Sequence, residues 1–240
     1  MARRAIRLLA LLAALVALSG SPGTAEAGRW GILSRFTRPA APRGPGTVGA
    51  NAARYRPGKV SGALARKAGG KAIMAVTGRQ GKAYARDLSD TVEILFQPRA
   101  SAFGHVLVRI GEEVYDMPNA SGPRAQKFHQ SLRWIHSPMY GFVFDSTPAR
   151  VAELDQAFRT LIASRPRFST AGSGPDGYSC AAFVTSVLAS KAPELQIGLG
   201  VGAVGVASDL LRGGAHQALT LYGSAASETG SEAFTFERLD

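Results

Sequence analysis

The sequence predicts an α+β domain, an antiparallel sheet packed on helices, preceded by a basic tail without regular structure. Three observations predict it. Apolar residues alternate in short runs bounded by Gly and Pro through the first part of residues 72–240. They recur at helical spacing in the second part. Residues 28–71 are instead rich in Pro, Gly, Ala and Arg and have little to bury. Strands gathered in one block and helices in another favour α+β over alternating βα units.

Residues 1–27 read as a secretory signal. Arg3, Arg4 and Arg7 precede an apolar run from Leu8 to Leu18, and Ala25-Glu26-Ala27 offers a small-residue cleavage site. The run is about half the length a membrane span needs, and no later stretch is long and apolar enough, so export without a transmembrane span is expected. Residues 28–71 follow as a disordered tail, with a short helix somewhere in 61–82. One domain then occupies 72–240.

Its first strand is Thr91-Val92-Glu93-Ile94-Leu95-Phe96, closed by Pro98. Residues 105–110 and 114–117 face each other across Gly111-Glu112-Glu113, a hairpin signal. Residues 140–144 form a further strand. A helix follows, capped by Thr147, with Pro148 at its first position and Val151, Leu154, Phe158, Leu161 and Ile162 along one face. A glycine-rich loop, 164–178, leads into a second helix from Cys180 to about Ser190. The segments 219–222 and 233–236 carry weak strand patterns.

The formal charge of +11 is unevenly placed. Residues 28–71 hold ten basic side chains and no acidic one, whereas 72–240 hold 15 basic and 16 acidic. A nucleic-acid-binding fold carries its basic patch on the folded unit, so nucleic acid is not an expected partner. For an exported chain, the tail is suited to anionic envelope polymers or a membrane surface, or serves as a solvated tether.

Cys180 is the single cysteine. One cysteine makes no internal disulfide, so in an oxidising compartment it is either a buried small hydrophobe or a reactive thiol. At the first turn of a helix, unpaired amides and the helix dipole favour the thiolate. The same position also continues the Phe183, Val184, Val187, Leu188 stripe, which is the core alternative. A thiolate nucleophile needs a base. Of His105, His129, His136 and His216, His105 is placed best, opening a strand beside Gly104. A third group orients the ring. With a two-residue turn at Gly111-Glu112, residue 107 pairs with 116 and Asp116 becomes a diagonal neighbour of His105. A longer turn brings Asn119 opposite instead. Asp116 is preferred, and Glu113 sits too near the turn.

The run Ser101-Ala102-Phe103-Gly104-His105-Val106-Leu107-Val108-Arg109-Ile110, with Tyr178-Ser179-Cys180-Ala181-Ala182-Phe183-Val184 far downstream, resembles the circularly permuted papain-like thiol hydrolases. That group lies near the NlpC-type cell-wall peptidases and the lecithin:retinol acyltransferase-like enzymes. Phe103-Gly104-His105 is similar to a bacterial envelope branch of it. The resemblance covers about residues 90–190 and implies a papain-like core, Cys180 as nucleophile and His105 as base. Ser179 stands where the NlpC-type pattern has Asp. The expected activity is thiol hydrolysis or acyl transfer on a peptide, peptidoglycan or lipid acyl substrate, with no cofactor and no metal. The alternative is a non-catalytic envelope-binding protein on a degenerate scaffold. Gly200-Val201-Gly202-Ala203-Val204-Gly205 matches G-x-G-x-x-G, but no βαβ unit surrounds it, so it reads as a flexible glycine loop. His129 and His136, seven apart, suit no metal module.

Overall fold

The structure, a computed structural model, describes residues 46–57, 60, 62–98, 104–118, 121–130, 138–174, 177–197, 202–213 and 215–223. The signal-like segment 1–27, the first part of the tail, Asn119, His136 and the expected strand 233–236 lie outside the described residues.

Two short helices open the described chain, α1 (Gly46–Tyr55) and α2 (Gly62–Ala68). Then come β1 (Ala72–Val76), α3 (Gly81–Asp87), β2 (Thr91–Gln97), β3 (His105–Ile110), β4 (Glu113–Asp116), β5 (Arg124–Lys127) and β6 (Met139–Asp145). The chain continues through α4 (Pro148–Ala163), the small strands β7 (Ser173–Gly174) and β8 (Gly177–Tyr178), α5 (Cys180–Lys191), α6 (Gly202–Gly213) and β9 (Ala218–Tyr222). Seven strands form one sheet in the order β1-β9-β6-β2-β3-β4-β5. The fold is α+β, as expected, but the sheet is mixed. β1 runs parallel to β9, and the remaining neighbours are antiparallel. The short Ala-rich run of β1 carries no alternating pattern from which that pairing could be anticipated.

Both faces of the sheet are covered, which is why β2 is buried almost throughout. On one face Val92, Ile94, Phe96, Val106 and Val108 pack with Leu154 and Phe158 of α4 and with Phe183, Val184 and Leu188 of α5. On the other, Leu95, Leu107, Val143 and Tyr222 pack with Tyr84 of α3 and Val48, Ala52 and Tyr55 of α1. The start of α4 follows its sequence signals. The Thr147 hydroxyl accepts the Arg150 amide at 3.2 Å, and Pro148 occupies the first helical position, where it loses no intrahelical bond.

The second face also holds charge. Glu93 and Arg109 are directly opposite on β2 and β3, both fully buried, with Arg109 Nε donating to Glu93 Oε2 at 2.7 Å. The carboxylate fits because residue 141 is glycine: a Cβ there would run into Glu93 Oε1. Among the described residues, no helix is long and apolar enough to cross a membrane.

Two expectations need correction. The stretch 46–71 is not a disordered tail. Val48, Ala52 and Tyr55 recur at helical spacing and are buried, and Arg54 pairs with Asp87 on α3 at 2.7 Å. The Gly and Arg content that suggests disorder lies between these anchors, so the folded unit begins well before residue 72. Likewise, 202–205 is not loop but the first turn of α6. Ala203, Val206, Ala207 and Leu210 supply a buried face that outweighs the glycines.

The packing of α1 gives a direct test. Tyr55 is buried, its ring edge-on to Tyr84 at 5.3 Å and its hydroxyl donating to Asp87 Oδ2 at 3.1 Å. Tyr55→Ala should cost about 3 kcal/mol in urea unfolding, the scale of a large core truncation. A change within about 0.5 kcal/mol, as for a surface residue, would return α1 to the tail.

Candidate active site

Turn geometry places the first two residues. Gly111, at φ +56°, starts a two-residue turn that sets Val108 opposite Tyr115, Arg109 opposite Val114 and Ile110 opposite Glu113. That register makes Asp116 a diagonal neighbour of His105, and their side chains meet: Nε2 and Oδ1 are 2.7 Å apart. The β3–β4 ladder stops at Val108 and Tyr115, so the strands part toward His105. Gly104, immediately before it, takes φ +72°, and a Cβ there would lie 2.7 Å from the Phe96 ring. Only glycine brings the chain into β3 along this path.

The thiol arrives on α5. Its N-cap is Ser179, whose hydroxyl accepts the Ala182 amide at 3.1 Å and whose own amide donates to the Gly172 carbonyl at 2.9 Å. Cys180 is the first residue of the helix and half-buried. Its sulfur hydrogen-bonds the His105 ring and accepts the backbone amides of Val106 and Ala181. Since Nε2 faces Asp116, Nδ1 is the ring nitrogen left for sulfur. Cys180 packs at the margin of the helical core, and its sulfur faces the imidazole.

Asp116 is held from both sides. It is 1% exposed, and its second oxygen accepts Arg124 Nη2 at 2.7 Å and Nε at 3.1 Å. Sequence reasoning missed Arg124. β5 alternates in neither polarity nor burial, so nothing in the residues pairs Arg124 with Asp116. Glu113 points elsewhere, to Lys127 at 2.9 Å and Arg159 at 3.5 Å.

The charges follow from these contacts. Burial opposes a charged ring at His105, but hydrogen bonds to Asp116 and Cys180, and their negative charge, push its pKa up to about 9. Burial likewise opposes a charged sulfur, but the His105 hydrogen bond and charge, then the two amides, bring the Cys180 thiol below its ordinary value. The same contacts thus favour a thiolate–imidazolium pair over the neutral thiol and ring, with Asp116 on the far side of the imidazole.

The other two described histidines, His129 and His216, lie elsewhere. His129 is in the 3₁₀ turn after β5. His216 is buried beside β9, edge-on to Phe142 at 5.3 Å, and burial with the Lys71 charge lowers its pKa to about 4. β9 is separated from β3 by β6 and β2. Among the described residues, no three His, Cys, Asp or Glu side chains converge as metal ligands would. No family model, curated protein or solved structure matches the chain.

Native Cys180 should react with iodoacetamide well below pH 7, where a free thiol near 8.5 is largely protonated and slow. His105→Ala should slow the reaction at pH 6 roughly tenfold or more, a pKa change of at least about one unit. The linked stability has a definite sign. A raised His105 pKa stabilises the fold fully below the free value of 6.5, and that contribution is lost as pH rises through about 9. Alkylation that appears only on unfolding would return Cys180 to the core.

Proposed function

We propose that the chain is an exported thiol hydrolase or acyltransferase with a permuted papain-like core, acting on an amide or ester in the cell envelope. The observation that carries this reading is the bonded series Cys180–His105–Asp116, with sulfur at a helix N-terminus. A cysteine that only fills a core has no use for an imidazole held by a buried carboxylate. The series therefore favours an enzyme over a non-catalytic envelope-binding scaffold.

The chemistry follows from the resting charges. The Cys180 thiolate attacks the carbonyl carbon, and the electron pair of the C=O bond moves to oxygen. Amides at the start of α5 have no partner within the helix, and we assign the Cys180 amide to that oxygen. The tetrahedral intermediate collapses as the imidazolium proton passes from His105 to the leaving nitrogen or oxygen, giving a thioester. His105, now neutral, takes a proton from water or from an acceptor nucleophile, whose attack releases the acyl group and restores the thiolate. Water gives hydrolysis, and another acceptor gives transfer. Asp116 holds the ring's orientation and balances its charge throughout. The basic residues of segment 28–71 that lie ahead of α1, Arg29, Arg35, Arg38 and Arg43, are suited to hold the enzyme at anionic envelope polymers or headgroups.

A substrate panel of stem peptides, phospholipids and activated esters, followed by mass spectrometry of Cys180, tests the reading. One class should leave a thioester on Cys180 and turn over. Cys180→Ala and His105→Ala should each cost about 10³-fold or more, with the double variant little worse, because the two act as one unit. Asp116→Ala should cost less than either. Losses from Cys180 and His105 that multiply would contradict a shared mechanism.

A further inference from the structure

We propose that Arg124 is a positioning residue of this thiol site: its two hydrogen bonds to Asp116 Oδ2 keep that buried carboxylate aimed at His105. The inference rests on the Cys180–His105–Asp116 reading and goes beyond it. It adds a fourth member, so that charges alternate from sulfur through imidazole and carboxylate to guanidinium.

The geometry is specific. Arg124 and Asp116 are direct cross-strand partners on β5 and β4, so the pair is fixed by sheet register rather than by a wandering side chain. Nε and Nη2 of the same guanidinium both reach Oδ2, at 3.1 and 2.7 Å, while Oδ1 is left to His105 at 2.7 Å. Each carboxylate oxygen thus has its own partner. Asp116 is 1% exposed, so in the intact site its donors are these side chains and not bulk water. A buried carboxylate with an orphaned oxygen is costly, and the cheapest escape is to turn away from the ring toward another donor. That turn breaks the Asp116 contact on which the His105 imidazolium depends. Among the described residues, the charged groups facing Asp116 are His105 from β3 and Arg124 from β5, with Cys180 of α5 on the far side of the ring.

A purely electrostatic neighbour would act with the opposite sign. If Arg124 mattered only as a positive charge near His105, its removal would relieve repulsion and strengthen the imidazolium. If it matters as the anchor of Asp116, its removal weakens the imidazolium and protonates the thiol sooner. Arg124 is 36% exposed, so through-space repulsion is partly screened while the directional bonds into a buried acceptor are not.

The test reads the pH profile of Cys180 alkylation in the full-length chain, with circular dichroism confirming that each variant folds. Arg124→Gln should move the acidic limb upward by up to about one pH unit and so slow reaction at pH 6 about five- to tenfold. Arg124→Lys keeps the charge but not the fork and should fall between Gln and wild type. In an Asp116→Asn background, Arg124→Gln should add almost nothing, since the two act through one bond pair. A profile that moves to lower pH, or a full Arg124→Gln effect persisting without Asp116, would overturn the role. Wild-type protein inert below pH 7 would overturn the thiol reading itself. An active wild type with an unshifted Arg124→Gln would overturn only the role of Arg124.

Discussion

The buried ion pair between Glu93 and Arg109 is the constraint from which the rest of the sheet takes its place. Both side chains are wholly removed from water, so every donor and acceptor needs a partner inside the protein. Arg109 meets this with Glu93, the Leu88 and Gly111 carbonyls and the Thr91 hydroxyl, while Tyr222 donates to the other Glu93 oxygen at 2.6 Å. One guanidinium therefore ties β3 to β2, to the end of α3 and to the turn at Gly111. Through Tyr222 the same network reaches β9. A buried pair is not in itself evidence of stability, but removing one partner strands the other, at a cost of about 3–5 kcal/mol. A strand slipped by one residue would incur that cost and turn its apolar side chains to the wrong face.

The site inherits its precision from this arrangement. Arg109 bonds the Gly111 carbonyl, and Gly111 opens the turn that sets β4 against β3. That register fixes Asp116 beside His105, and the next register, β4 against β5, fixes Arg124 beside Asp116. Three of the four charged groups in the site are thus aligned by backbone ladders, which deform little. Cys180 comes from a different layer, on a helix whose packing through Phe183 and Val184 holds it against the sheet. The two charge clusters differ in purpose. Glu93 and Arg109 are sealed, whereas Cys180 is only half-buried.

Much of this was legible in the sequence because it rests on local rules. Alternation in 91–96 and 105–110, the Thr147-Pro148 cap and the helix start at Cys180 follow from the residues themselves, whereas the turn length, and with it Asp116 over Asn119, was open until the β3–β4 register gave a two-residue turn. Arg124 was hidden because β5 is a half-exposed strand without apolar alternation, placed only by its partner. β1 was hidden for a related reason: its parallel pairing with β9 joins residues far apart in the chain. The helices α1 and α6 were readable, since Val48, Ala52 and Tyr55, and Ala203, Val206, Ala207 and Leu210, recur at helical spacing. Composition rich in Gly and Arg obscured them. Spacing of a few buried side chains outweighs composition where a neighbouring sheet offers a surface to bury them against.

The central claim is that His105 rests as an imidazolium paired to the Cys180 thiolate. Nitrogen-15 NMR of the His105 ring reads this directly, because the shifts of Nδ1 and Nε2 separate a doubly protonated ring from either neutral tautomer. At pH 7.5, where a free imidazole is neutral, both nitrogens should carry protons, and in Cys180→Ser the titration midpoint should fall by more than about one unit. A neutral His105 ring in the wild-type protein at that pH, or a midpoint indifferent to the loss of sulfur, would contradict the account.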